Sequence, residues 1–117
     1  MTTDAQLKWQ RGQCSVEWCG EDIRTPGMLL CASELPHSEG FAIVTLFDEL
    51  TPCDQTNGYV FHPNTGYTEI RVMENQKLIR LLGCYCEHDY LVFRATNETE
   101  YLMNPITLQI IKSRYYR

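Results

Sequence analysis

Two copies of one short pattern decide the fold: Tyr59-Val60-Phe61-His62-Pro63-Asn64-Thr65 and Tyr101-Leu102-Met103-Asn104-Pro105-Ile106-Thr107. Each copy has an aromatic residue, two apolar residues, a polar residue, Pro, a variable residue and Thr. Because Pro cannot donate to a sheet ladder, each copy predicts a strand that ends at a proline-marked turn. The repetition indicates a chain built from repeated antiparallel strand pairs.

The segments around these copies also have strand character. Residues 41–47 have the β-branched and aromatic content of a central strand, and residues 67–73 alternate between the two faces of a strand. Residues 74–82 fit either a short helix or a returning strand, and the flanking pattern favours the strand. We therefore predict a mainly β fold, a small antiparallel sandwich or barrel-like domain, with at most one short helix near residues 74–82.

Length and composition are those of an ordinary globular protein. A chain of 117 residues predicts a single domain over residues 1–117, with the polar residues 1–12 as a loose N-terminal arm. The hydrophobic fraction of 44% and the charged fraction of 21% argue against disorder. No disulfide or metal is needed merely to fold a chain of this size.

Charge and hydropathy narrow the classes of partner. The net charge of −5 disfavours general nucleic-acid binding, because affinity for phosphates depends largely on Lys and Arg. No apolar run approaches the ~20 residues that a membrane-spanning helix needs. The polar start, residues 1–6, lacks the features of a secretory leader. We therefore expect a cytoplasmic protein that does not bind membranes.

The six cysteines admit a second interpretation of function: Cys14, Cys19, Cys31, Cys53, Cys84 and Cys86. Without a leader, free thiols are expected rather than a disulfide framework. Thiolate and imidazole are ligands that zinc prefers, so Cys84, Cys86 and His88 form a candidate metal site. On a straight strand Cys84 and His88 would lie about 13 Å apart, so both could bind one ion only if the chain turns at His88. The favoured prediction is a protein without a cofactor. The alternative is a zinc- or thiol-dependent protein that uses Cys84, Cys86 and His88.

No recognisable catalytic signature occurs in the sequence, which favours a non-enzymatic role. His62 and Asn104 occupy the same place in the two copies, where we expect both to hydrogen-bond the backbone of a turn. An enzyme whose site assembles from scattered His, Asp and Glu side chains stays open.

The favoured function is a protein-interaction module, an inhibitor or adaptor acting through loops or a strand edge. Tyr and Arg are enriched at protein interfaces. The predicted partner-binding residues are accordingly Trp9, Arg114, Tyr115, Tyr116 and Arg117. The partner is another protein, and pairing of open sheet edges into a homodimer is a variant of the same prediction.

Overall fold

The computed structural model describes residues 6–116, which form thirteen strands and no helix. The prediction of a mainly β, antiparallel fold is confirmed. The strands are β1 (Leu7–Lys8), β2 (Ser15–Trp18), β3 (Glu21–Arg24), β4 (Leu29–Glu34), β5 (Phe41–Thr45), β6 (Gly58–His62), β7 (Gly66–Ile70), β8 (Met73–Glu74), β9 (Lys77–Leu78), β10 (Leu81–Glu87), β11 (Tyr90–Ala95), β12 (Thr99–Met103) and β13 (Ile110–Tyr115). Within residues 6–116 there is consequently no helix that could cross a membrane.

The strands form three layers. Strands β1–β3 make an N-terminal sheet, β4–β7 make a central meander, and β10–β13 make a C-terminal meander. A two-stranded hairpin, β8–β9, connects the two meanders. Every pairing is antiparallel and joins strands that are neighbours along the chain. The strand order of the two meanders is the same.

The central meander is buried on both faces, which explains why every residue of β5 is buried. Ala42 and Val44 point into an inner core shared with the C-terminal meander. Phe41 and Ile43 point the other way, into an N-terminal core shared with β1 and β2. Alternate side chains of a strand face opposite sides of a sheet, so one apolar strand supplies both cores.

The ambiguous stretch at residues 74–82 is not helical. It contains β8, a tight turn, β9 and the start of β10. Asn75 and Gln76 both have positive φ angles, 52° and 63°, as a two-residue hairpin turn requires. A helix cannot pass through two residues in the left-handed region, so the helical alternative is wrong.

Asn57 joins the two meanders, although an Asn-Gly pair is more often found in a two-residue hairpin turn. Its side chain is 2% exposed. Its Nδ2 donates to the carbonyls of Thr45, at 2.9 Å, and Leu81, at 2.8 Å, while its Oδ1 accepts from the Leu81 amide at 2.9 Å. The next residue is Gly58, where the Cβ of any other residue would overlap the Leu81 side chain. The two meanders therefore approach closely at this level.

Each copy of the repeated pattern covers the third strand of a meander, β6 or β12, and the turn after it. Asn104 Oδ1 accepts from the amides of Ile106 and Thr107 at 2.8 and 3.0 Å, as expected for a turn residue. His62 differs, since its Nε2 donates to the Pro105 carbonyl at 3.2 Å. The two copies therefore touch each other in space.

The N-terminal sheet includes part of the predicted N-terminal arm and a stretch rich in turn-forming residues. Leu7 and Lys8, within the predicted arm, pair with Trp18 and Glu17 of β2. The turn-rich stretch 20–27 contains β3, which pairs with β2. Residues 1–5 of the predicted arm lie outside the described part of the chain.

Candidate functional site

The C-terminal strand β13 is the most open strand of the molecule. It ends the order β10-β11-β12-β13, and all six of its residues are exposed. Tyr115 is 84% exposed, and Ile110 and Ile111 are each about half exposed. We call residues 110–115, with their unpaired backbone groups, the β13 edge.

The hydrogen-bond pattern shows which backbone groups of the β13 edge are free. The Tyr116 amide donates to the Glu98 carbonyl at 3.0 Å, and the register continues as Arg114 opposite Glu100 and Lys112 opposite Leu102. In an antiparallel ladder every second residue bonds the neighbouring strand. The N–H and C=O groups of Ser113 and Tyr115 therefore point away from β12, and no strand among residues 6–116 pairs with them on that side.

Side chains divide the β13 edge into two faces. Lys112 and Arg114 lie on the outer face of the C-terminal meander, where Lys112 Nζ is 5.4 Å from the Tyr90 ring centre. Ser113 and Tyr115 alternate with them and so lie on the opposite face. An open cleft of about 270 Å³ at this end of the strand is lined by Ser113, Tyr115, Glu74 and part of Arg114. The strand thus turns its charged side chains to one side and uncharged side chains to the other.

An ion-pair network fixes the outer face beside β13. Glu100, only 3% exposed, accepts from Arg94 Nε at 2.8 Å, Arg114 Nε at 2.9 Å and the Tyr85 hydroxyl at 2.7 Å. Arg114 also pairs with Glu87. Burial raises the pKa of Glu100, but the hydrogen bonds from Arg94, Tyr85 and Arg114 outweigh it and lower the net pKa. Glu100 is therefore a stable anion that holds both arginines in place.

The outer face also covers apolar side chains of its own. Val92 and Leu102 are buried, yet they belong to neither core cluster. Tyr85, Val92, Leu102 and Lys112 are opposite one another on the four neighbouring strands, so their side chains lie on the same face of the sheet. Long side chains can bury such positions with their apolar stems while their polar ends stay in water.

The predicted partner-binding residues fall in separate places. Tyr116 is anchored, since its hydroxyl donates to the Ala95 carbonyl at 2.7 Å and its ring centre lies 4.7 Å from the Arg94 guanidinium. Tyr115 is free on the opposite face of β13. Trp9 lies beside β1 in the N-terminal layer, so the central meander separates it from β13. Arg117 is outside the described residues.

A second cluster of chemical groups lies where β4 of the central meander runs beside β10 of the C-terminal meander. We call this line of contact the seam. Cys31 Sγ accepts from the Cys84 amide at 3.4 Å and donates to the Cys84 carbonyl at 3.2 Å. At the end of the seam, His37 Nε2 lies 2.6 Å from Asp89 Oδ1.

The two thiols of the seam have opposite properties. A hydrogen bond from the Cys84 side chain lowers the pKa of Cys31 to about 6, despite partial burial. The same hydrogen bond, together with complete burial, raises the pKa of Cys84 well above its usual range. Cys31 is therefore the thiol of the pair that loses its proton more readily, whereas Cys84 keeps its proton.

The predicted metal ligands are placed differently from one another. Cys84 is buried and lies 3.7 Å from the Ala42 carbonyl, whereas Cys86 is exposed and donates to the Glu34 carbonyl at 2.7 Å. His88 is exposed in the turn between β10 and β11, with a φ of 55°. Among residues 6–116 no group of three or more His, Cys, Asp or Glu side chains is arranged to hold a metal ion. Dependence on zinc stays a prediction, which elemental analysis of the purified protein tests.

We expect Cys31 to react with iodoacetamide at a rate that rises with a midpoint near pH 6, because the thiolate is the nucleophile. An ordinary cysteine keeps gaining reactivity up to about pH 8.5. Mass spectrometry of the tryptic fragment over residues 25–71 measures the rate. Cys53→Ser removes the other thiol of this fragment and serves as the parent protein. A rate that still rises steeply from pH 7 to pH 9 would contradict the prediction.

Comparison with known proteins adds no information about the site, since no protein-family model, curated protein or solved structure matches the chain. Sequence reasoning proposed the C-terminal tail and Cys84 as site residues, but it gave no role to Glu100 or Arg94 and did not pair Cys31 with Cys84. Alternation along β12 and β13 could have placed Glu100 and Arg114 on one face. No local pattern connects Cys31 with Cys84, which are 53 positions apart.

Proposed function

We propose that this chain is a non-enzymatic protein-interaction module that binds an extended segment of another protein along the β13 edge. In this mode the segment adds a strand to the sheet and its backbone bonds the free backbone groups of the edge. The supporting observation is that every residue of β13 is exposed and that the backbone groups of Ser113 and Tyr115 have no partner strand within residues 6–116.

Features that commonly protect an edge from pairing are weak here. Edge strands are often blocked by Pro or by charged side chains. Residues 110–115 contain no Pro, and their two charged side chains, Lys112 and Arg114, are held on the outer face. The opposite edge of the same sheet, β10, already lies against β4 at the seam. The β13 edge is thus the open edge of its sheet.

The chemistry around the edge favours a particular kind of segment. Tyr115 and Ile111 offer exposed apolar surface, and Glu74 contributes a carboxylate to the cleft beside Tyr115. The protein as a whole carries a net charge of −5. An extended segment that alternates apolar residues with uncharged or basic residues fits this surface best, because unlike charges steer association.

Peptides selected from a random library on the wild-type protein provide the test. We expect Ser113→Pro to weaken the binding of such peptides at least about tenfold, because β13 becomes a central strand in the complex and Pro does not fit one. The fold should tolerate the change, since the Ser113 amide points away from β12. In the wild-type complex, the amide protons of Ser113 and Tyr115 should exchange more slowly with solvent than in the free protein.

Glu69→Pro is the matched control. Glu69 lies on β7, the open edge of the central meander, and the register places its amide on the outward side. This variant should bind the selected peptides as the wild type does. Equal binding by Ser113→Pro, protection at another strand, or a failure to select any peptide would contradict the proposal. A wild-type dimer that Ser113→Pro converts to monomer would instead show that a second copy occupies the edge.

A further inference from the structure

We propose that Cys31 and Cys84 form a reversible disulfide across the seam when the protein meets a low-molecular-weight disulfide. The inference is independent of the proposed binding at the β13 edge. It assigns to the seam a site of covalent modification.

The first support is the contact between the two residues. Cys31 Sγ lies 3.4 Å from the amide nitrogen and 3.2 Å from the carbonyl oxygen of Cys84. A sulfur that touches both backbone atoms of one residue lies directly against that residue's Cα. The contact brings the two strands near the spacing that a disulfide needs, with Cα atoms about 4.4–6.8 Å apart. Cys84 Sγ lies 3.7 Å from the Ala42 carbonyl oxygen, and it turns toward Cys31 when the bridge forms.

The second support is the local backbone. Both strands depart from regular pairing at this level, with an irregularity between Leu29 and Cys31 in β4 and another between Leu81 and Gly83 in β10. Gly83, next to Cys84, has no side chain, and the position of its absent Cβ is 3.8 Å from Cys31 Sγ. A contact of 3.8 Å is ordinary van der Waals packing, so Cys31 Sγ lies directly against the Gly83-Cys84 stretch of β10.

The two thiols differ in their access to solvent, and this difference determines which thiol reacts first. Cys31 is partly exposed, whereas Cys84 is 5% exposed. The Cys31 thiolate attacks one sulfur of the small disulfide, a Cys31–S–SR bond forms, and one small thiolate leaves and takes up a proton. Cys84 then loses its proton and attacks the Cys31 sulfur, which releases the second small thiol. Two protein thiols are oxidised, and one small disulfide is reduced to two thiols.

The disulfide would connect two meanders that the chain otherwise joins only through residues 71–80. A crosslink between residues 53 positions apart restricts the unfolded chain strongly. We expect oxidation to raise the Tm by about 10 °C, and a reducing thiol to reverse the change.

The variant Cys53→Ser/Cys86→Ser gives the cleanest assignment. Trypsin cuts it into one fragment, residues 25–71, whose only cysteine is Cys31, and another, residues 81–94, whose only cysteine is Cys84. After treatment of the folded protein with glutathione disulfide, we expect these fragments to be joined, and the mass of the joined pair should be two hydrogen atoms less than the sum of the two reduced fragments.

Two further variants in the same background keep the result interpretable. Cys84→Ser should stop at the first step and carry one glutathione on Cys31, and Cys31→Ser should form neither product at the seam. A parent protein that stays fully reduced, or whose joined fragments do not include residues 25–71 and 81–94, would overturn the proposal. So would a Cys84→Ser variant whose Cys31 remains unmodified.

Discussion

Replacement of Asn57 with Ala should lower the free energy of unfolding by about 4 kcal/mol, because it leaves buried polar groups of the backbone unpaired. The Asn57 side chain is 2% exposed and makes three hydrogen bonds to the backbone, one to Thr45 and two to Leu81. Each buried group without a partner costs roughly 1–3 kcal/mol. Unfolding in urea, followed by circular dichroism, measures the effect.

Asn64→Ala is the matched control for this prediction. Asn64 lies exposed in the turn between β6 and β7, so the same change of residue should alter stability by less than about 0.5 kcal/mol. Asn57→Asp provides a second comparison, because it keeps the acceptor and removes the donor. A loss of less than about 1 kcal/mol for Asn57→Ala would mean that the contact between the meanders does not depend on this side chain.

Phe41→Ala is expected to have a similar effect in the other core, a loss of about 4 kcal/mol. Phe41 is fully buried and packs on three aromatic rings, with its centre 4.9 Å from Phe61, 5.6 Å from Trp18 and 6.1 Å from Tyr67. Its removal leaves a cavity between the N-terminal sheet and the central meander. Tryptophan fluorescence should shift as the packing of Trp18 loosens.

Tyr115→Ala is the control for Phe41→Ala, because it removes an aromatic ring that is 84% exposed. Its effect on stability should stay within about 0.5 kcal/mol. If the two variants had equal stability, the N-terminal sheet would not depend on packing against Phe41. If Tyr115→Ala were the less stable of the two, its ring would belong to a core.

The strands with a strong local pattern could be predicted from the sequence. Residues 41–47 indicated a central strand, and β5 covers residues 41–45 with every side chain buried. Each copy of the repeated pattern likewise coincides with a strand, β6 or β12, and the turn after it. Hydrophobic periodicity carries this information because it depends only on which side chains a single strand buries.

Contacts between distant segments could not be predicted in the same way. The Asn57-Gly58 pair is a common hairpin signal, yet Asn57 bonds Leu81 across a separation of 24 positions. The stretch 20–27 contains the turn-forming residues Thr25-Pro26-Gly27, yet β3 ends at Arg24, just before them. A single sequence does not show which strands lie side by side in the fold. The contact of β4 with β10 at the seam could therefore not be predicted.

The candidate site was predicted in location and missed in arrangement. The tail from Lys112 onward has the residue types of an interface, and it forms the open strand β13. The prediction named Arg114, Tyr115 and Tyr116, together with Trp9 and Arg117, as partner-binding residues. The alternation of side chains along β13 separates the first three. Arg114 hydrogen-bonds to Glu100 of β12 and Tyr116 to Ala95 of β11, whereas Tyr115 lies on the other face.

The order of strands within the sheets has a consequence for the rate of folding. Every hydrogen-bonded strand pair joins neighbours along the chain, so each meander can form from local contacts. Docking of the meanders at Asn57 and at Cys31 needs a larger loop to close first, and such closure slows folding. Docking therefore comes late on the pathway, and Asn57→Ala should speed unfolding far more than it slows refolding.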